Sequence, residues 1–107
     1  MAVRTTEQIK ETVNKYSLLL NKAGIPVQRI ILFGSYSNNR QTEDSDIDLA
    51  VVLKSYFEDR FTTRLKLMKY CRNFEEVIEP HPFLDDEFNM TDPFAAEILK
   101  TGIVLYS

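Results

Sequence analysis

Apolar residues recur at helical spacing near the start of the chain. Ile9, Val13, Tyr16 and Leu20 share one side of a helix over residues 5–23, and Glu7, Lys10, Glu11 and Asn14 take the other. Thr5 with Gln8 has the form of a capping box, and Gly24 followed by Pro26 is a stop signal. The pattern then changes from helical to extended. Val27 to Phe33 is a β-rich run that ends at Gly34, and Ile47 to Leu53 is almost continuously apolar, as in a strand covered on both faces.

A second helix is predicted over residues 57–74, with Phe61, Leu65, Met68 and Cys71 or Arg72 on its inner side. Residues 77–84, VIEPHPFL, look extended. Their prolines at alternate positions confine them to a sheet edge and leave Glu79 and His81 on one shared face. Asp92 as N-cap and Pro93 in the first turn open a short helix that should carry Phe94, Ile98 and Leu99 inward until Gly102. IVLY supplies a last strand. The order is α-β-β-α-β-α-β, an α/β (α+β) fold with a sheet of about four strands flanked by helices.

Length and charge narrow the picture. A chain of 107 residues supports one modest core, so residues 1–107 are expected to form a single domain. A net charge of −3 gives no broad basic footprint for nucleic acid, and any polyanionic ligand would need help from cations. The one cysteine, Cys71, has no internal disulfide partner, and no apolar run reaches membrane-span length; both favour a reducing, cytoplasmic setting away from membranes. Cys71 itself reads as a small buried hydrophobe.

The chemistry gathers between the first two strands, in GSYSNNRQTEDSDID. Asp46 and Asp48 are two apart in a strand and so project together, where they repel unless a proton or cation lies between them. Magnesium answers that need, since it takes one or two protein carboxylates together with substrate phosphates. Gly34 allows close approach of the backbone to a phosphate, and Ser35 offers a hydroxyl and an N–H. Other motifs fail on particular residues. An EF-hand starting at Asp44 would need Gly and Glu where Leu49 and Ser55 stand, and a P-loop would need a second Gly followed by Lys.

FGS, ten residues, then DID followed by LAVVL resembles the active-site signature of the DNA polymerase β-like nucleotidyltransferase superfamily, in its minimal nucleotidyltransferase (MNT) branch. The tail IEPHPFLDDEFNMTDPFAAEILKTGIVLY resembles the same branch, so the likeness spans nearly the whole chain. It implies a small mixed sheet and transfer of a nucleoside monophosphate, AMP from ATP, to an acceptor hydroxyl. It also implies phosphate binding by Gly34 and Ser35, and two magnesium ions held by Asp46, Asp48 and a third carboxylate. Glu79 matches that third position and would help to activate the acceptor; Asp85, Asp86 and Glu87 have the composition of a solvated turn. The basic residue and Gly that many members carry after Gly-Ser are replaced by Asn38 and Asn39, leaving Arg40 as the available cation.

The branch includes antitoxins paired with HEPN proteins, which makes a tyrosine of a HEPN-type toxin the expected acceptor. A non-catalytic module that masks a partner's active site is the alternative. A small-molecule acceptor such as an aminoglycoside is disfavoured by the lack of residues for a second domain. His81 is either a site residue beside Glu79 or a strand histidine that packs, Tyr36 either stacks on a base or covers the core, and homo-oligomerisation stays open.

Overall fold

The computed structural model describes residues 5–34, 46–74 and 78–107. Seven elements follow in the expected order: α1 (Thr6–Lys22), β1 (Val27–Phe33), β2 (Ile47–Leu53), α2 (Arg60–Cys71), β3 (Ile78–Leu84), α3 (Pro93–Thr101) and β4 (Ile103–Tyr106). The strands make one mixed sheet in the order β3-β2-β1-β4. β1 runs antiparallel to both β2 and β4, while β3 lies parallel to β2 across the α2 crossover. No helix among the described residues is long and apolar enough to cross a membrane.

Residue parity along β2 divides the core. Ile47, Leu49, Val51 and Leu53 pack under α1 and α2, together with Ile9, Val13, Tyr16, Leu20 and Leu67. Ala50 and Val52 point to the other face and pack with Ile31, Phe83, Phe88 and α3 residues Ala95 and Ile98. β2 is therefore buried on both sides, and Asp48 is its single interruption. α1 is capped as its sequence predicts: Thr5 Oγ1 accepts from Gln8 N–H at 3.1 Å, and Gln8 Oε1 accepts from Thr5 N–H at 2.8 Å.

Two expectations are corrected. α2 is shorter than residues 57–74, and its core face is Thr63 and Leu67; Phe61, Leu65 and Met68 are 70%, 52% and 45% exposed. The cause is local hydrogen bonding. Asp59 caps the helix by accepting from Thr62 N–H at 2.7 Å. Thr63 hides its hydroxyl by donating to Asp59 C=O at 2.8 Å and accepting from Phe57 N–H at 2.8 Å. A polar residue with both needs met locally can be buried at little cost, and its burial sets the phase that turns the larger apolar side chains outward. In α3, Ala95 and Ile98 face the sheet while Phe94 and Leu99 are partly exposed. The small Ala95 lets this short helix lie close to the strands.

β3 occupies a sheet edge, as its prolines require. The Pro82 carbonyl accepts from Arg60 Nε at 3.1 Å and lies 3.4 Å from the Tyr56 hydroxyl, which donates to it. Arg60 also reaches over the Phe83 ring, wrapping the edge from one face of the sheet to the other.

Candidate active site

The sheet register assembles the site. Glu79, Asp48 and Phe33 stand side by side across β3, β2 and β1, with His81, Ala50 and Ile31 in the next row. All six belong to the α3 face by strand parity. α3 covers the Ile31, Ala50 and Val52 end of that face. The Asp48 and Glu79 end is left half-open, because α3 begins only at Pro93 and Phe94 stands at the boundary.

The four polar side chains come from neighbouring strands, Asp48 in β2 with Asp46 just before it, and Glu79 and His81 in β3. Asp48 Oδ1 lies 3.3 Å from His81 Nε2. One ligand atom from each of Asp48, Glu79 and His81 falls within 4.8 Å of the others. Glu79 has its carboxyl pushed above the usual range, first by burial, then by a hydrogen bond with Asp46 and the charges of Asp46 and Asp48, with His81 pulling the other way. A carboxyl pushed upward by burial and then by neighbouring anions marks a place short of positive charge. Two oxygen donors and a nitrogen donor on a half-open face, with Asp46 beside them, fit a divalent cation.

Gly34 closes the site from β1. Its φ is +78°, a left-handed backbone that glycine adopts freely. A Cβ built there would lie 2.6 Å from Asp48 Oδ2. Glycine is thus required twice, by the backbone and by the neighbouring carboxylate. Ser35, Tyr36, Asn38, Asn39, Arg40 and Asp44 lie outside the described residues. Asp85, set aside in the sequence as part of a turn, pairs with Arg29 at 3.6 Å on the far side of β3 from Glu79 along the chain.

The rings of Phe33, His81 and Phe83 surround Phe94, with centroids 5.7, 6.3 and 5.6 Å away. Ala50, central to those three positions in the register, has no bulk to keep Phe94 out. Sequence periodicity missed this, since it placed Phe94 in the core rather than at the rim of the polar cluster. The signal that would have found it is the Asp-Pro cap, which fixes where α3 starts.

The profile of the family "Polymerase beta, Nucleotidyltransferase" matches residues 7–107. The chain belongs to this nucleotidyltransferase family. Among its relatives, the Methanocaldococcus jannaschii protein named "Putative protein adenylyltransferase MJ1379" is 38% identical over 102 residues, covering 95% of this chain and 98% of the relative. A second from the same organism, "Putative protein adenylyltransferase MJ0604", is 34% identical over 99 residues, covering 92% and 94%. Among solved structures, a toxin–antitoxin with AMP-PNP superposes with a TM-score of 0.63 at 25% identity, over 87% of this chain and 72% of that one. The complex of tri-AMPylated Shewanella oneidensis HEPN toxin with MNT antitoxin gives a TM-score of 0.58 at 22% identity, over 92% and 72%. This second likeness is one of fold. The nucleotidyltransferase fold expected from FGS and DID is therefore the fold observed, with its three helices and mixed four-stranded sheet.

Proposed function

We propose that the chain, as one minimal nucleotidyltransferase domain over residues 1–107, transfers AMP from ATP to a hydroxyl on a partner protein. The observation that carries this reading is the convergence of Asp46, Asp48 and Glu79 on the half-open end of one sheet face, next to Gly34. Divalent magnesium held by those three carboxylates would neutralise triphosphate charge and acidify the acceptor hydroxyl. Gly34 admits the phosphate chain close to the backbone, with Ser35 and Arg40 as its further contacts. The acceptor oxygen attacks the α-phosphorus, the bond to pyrophosphate breaks, and Glu79 takes the hydroxyl proton. Positioning and electrostatics carry the rate, with no covalent enzyme intermediate.

The acceptor we infer is a tyrosine of a HEPN-type toxin, which makes the chain the antitoxin of a pair. The support is the MNT and HEPN pairing of its structural neighbours and the protein adenylyltransferase names of its relatives. A lone cysteine is consistent with the reducing, cytoplasmic setting we infer for it. To test the reading, the protein, ATP, magnesium and the product of the adjacent gene are mixed and intact masses recorded. Adducts of AMP on the partner are expected, and none with Asp46→Asn or Asp48→Asn. Undiminished transfer by either variant overturns the assignment, and a tight complex without adducts favours masking of the partner instead.

A further inference from the structure

We propose that His81 is itself a metal ligand through Nε2, so that the site prefers a transition ion such as manganese(II) over magnesium. This rests on the reading of the carboxylate cluster as a metal site. His81 follows Glu79 by two residues in β3 and turns its ring back toward Asp48 instead of out to solvent; its side chain is only 20% exposed. Pro80 and Pro82 on either side fix the backbone that carries it. The rings of Phe33 and Phe94 meet it edge to face at 5.2 and 6.3 Å and hold its plane.

The distance to Asp48 bears on the role. At 3.3 Å, Nε2···Oδ1 is longer than an ordinary N–H···O bond, which spans about 2.7–3.2 Å. It matches the spacing of two neighbouring donors around one ion. Metal–ligand bonds of about 2.0–2.2 Å put adjacent donor atoms roughly 2.8–3.1 Å apart in octahedral geometry and roughly 3.3–3.6 Å apart in tetrahedral geometry. Glu79 completes a set whose donors all lie within 4.8 Å, slightly wider than the about 4.0–4.4 Å between opposite ligands of one ion, so the set would draw in a little on binding. An imidazole in that set changes the preference of the site. Magnesium takes oxygen ligands, whereas first-row transition ions accept imidazole readily. The competing role for His81 is a hydrogen bond to Asp48 from outside the ion's shell, which would leave an all-oxygen site.

Manganese(II) separates the two because it is paramagnetic. The full-length protein is titrated with MnCl2, binding is followed by EPR, and pulsed EPR reads the coupling of a directly bound nitrogen. Nitrogen coupling is expected in the wild type and none in His81→Gln. In that variant manganese should bind more weakly by at least the roughly 10–100-fold that loss of an outer-shell partner costs, while magnesium affinity, from competition, changes far less. Manganese that binds, is lost with Asp48→Asn, and shows no nitrogen coupling overturns the role of His81 and leaves the metal site standing. Manganese that does not bind at all overturns both. If His81→Gln fails to fold by circular dichroism, the nitrogen coupling of the wild type decides alone.

Discussion

Two glycines with the same backbone conformation offer a controlled test of how Gly34 serves the site. Gly24 and Gly34 both have φ of +78°, but a Cβ at Gly24 would meet nothing within 4 Å, whereas one at Gly34 would meet Asp48 Oδ2 at 2.6 Å and Cγ at 3.4 Å. Gly24→Ala therefore reports backbone strain alone. That strain is about 1–2 kcal/mol, reduced by the stiffer unfolded chain to roughly 1 kcal/mol. A loss of that size lowers Tm by about 4–8 °C in a domain of this length. Gly34→Ala carries the same strain and also displaces the Asp48 oxygen, which must retreat by about 0.8 Å to reach ordinary contact.

The oxygen sits at the end of a flexible side chain, so it can swing aside with little added loss of stability. Its position relative to Glu79 and His81 cannot survive the swing. Misplacement on the order of 1 Å at a reacting centre costs about 100-fold. The two variants should thus melt within a few degrees of each other without metal. Gly24→Ala should keep the stabilisation that excess MnCl2 produces, read as a rise in Tm, and Gly34→Ala should lose about 2–3 kcal/mol of that stabilisation, the equivalent of a roughly 100-fold weaker affinity. Differential scanning fluorimetry with and without the ion makes the comparison. Equal metal-induced stabilisation in both variants would refute the reasoning, because it would mean that the Asp48 carboxylate is free to sit elsewhere.

Further outcomes follow from the packing. Because the Glu79 pKa is raised above 4.5 in the folded state, the native protein holds a proton that the unfolded chain has released, so metal-free stability should fall as pH rises from about 4.5 through the folded value. Glu79→Gln should flatten that slope and be more stable than wild type at neutral pH in EDTA while transferring no nucleotide; urea denaturation at several pH values checks it. Tyr16→Phe removes the buried bond that Tyr16 Oη donates to the Leu67 carbonyl at 2.8 Å and should cost about 1 kcal/mol. Burial, with Cys71 adding to it, keeps that hydroxyl protonated well beyond the working range, so its loss should be independent of pH. On α2, Leu65→Gln should change stability by less than about 0.5 kcal/mol, whereas Leu67→Ala should cost about 2–5 kcal/mol in the same urea assay.

α1 and β2 were legible in the sequence because each repeats one demand, a stripe of Ile9, Val13, Tyr16 and Leu20 or an unbroken run from Ile47. α2 was not. Its core face depends on whether Thr63 can satisfy its hydroxyl within its own turn, and apolar periodicity carries no record of that. The same limit applies to the site. The pairing of Asp46 with Asp48 follows from their spacing, and Glu79 from its match to the family pattern. The contact of His81 with Asp48 depends on a parallel register between strands separated by a helix. Phe94 at the rim depends on how closely Ala95 lets α3 approach.

The capped edge at β3 also limits how another protein can reach the carboxylates. Pro80 and Pro82 have no N–H to offer, and the outward carbonyl of Pro82 is already taken by Arg60 and Tyr56. Among the described residues, strand pairing by a visiting chain is therefore disfavoured along Pro80 and Pro82. On the proposed function, a polypeptide delivering a hydroxyl to Glu79 would present it as a protruding side chain over the part of the face that α3 leaves uncovered, and specificity would rest on the shape of that protrusion more than on backbone pairing.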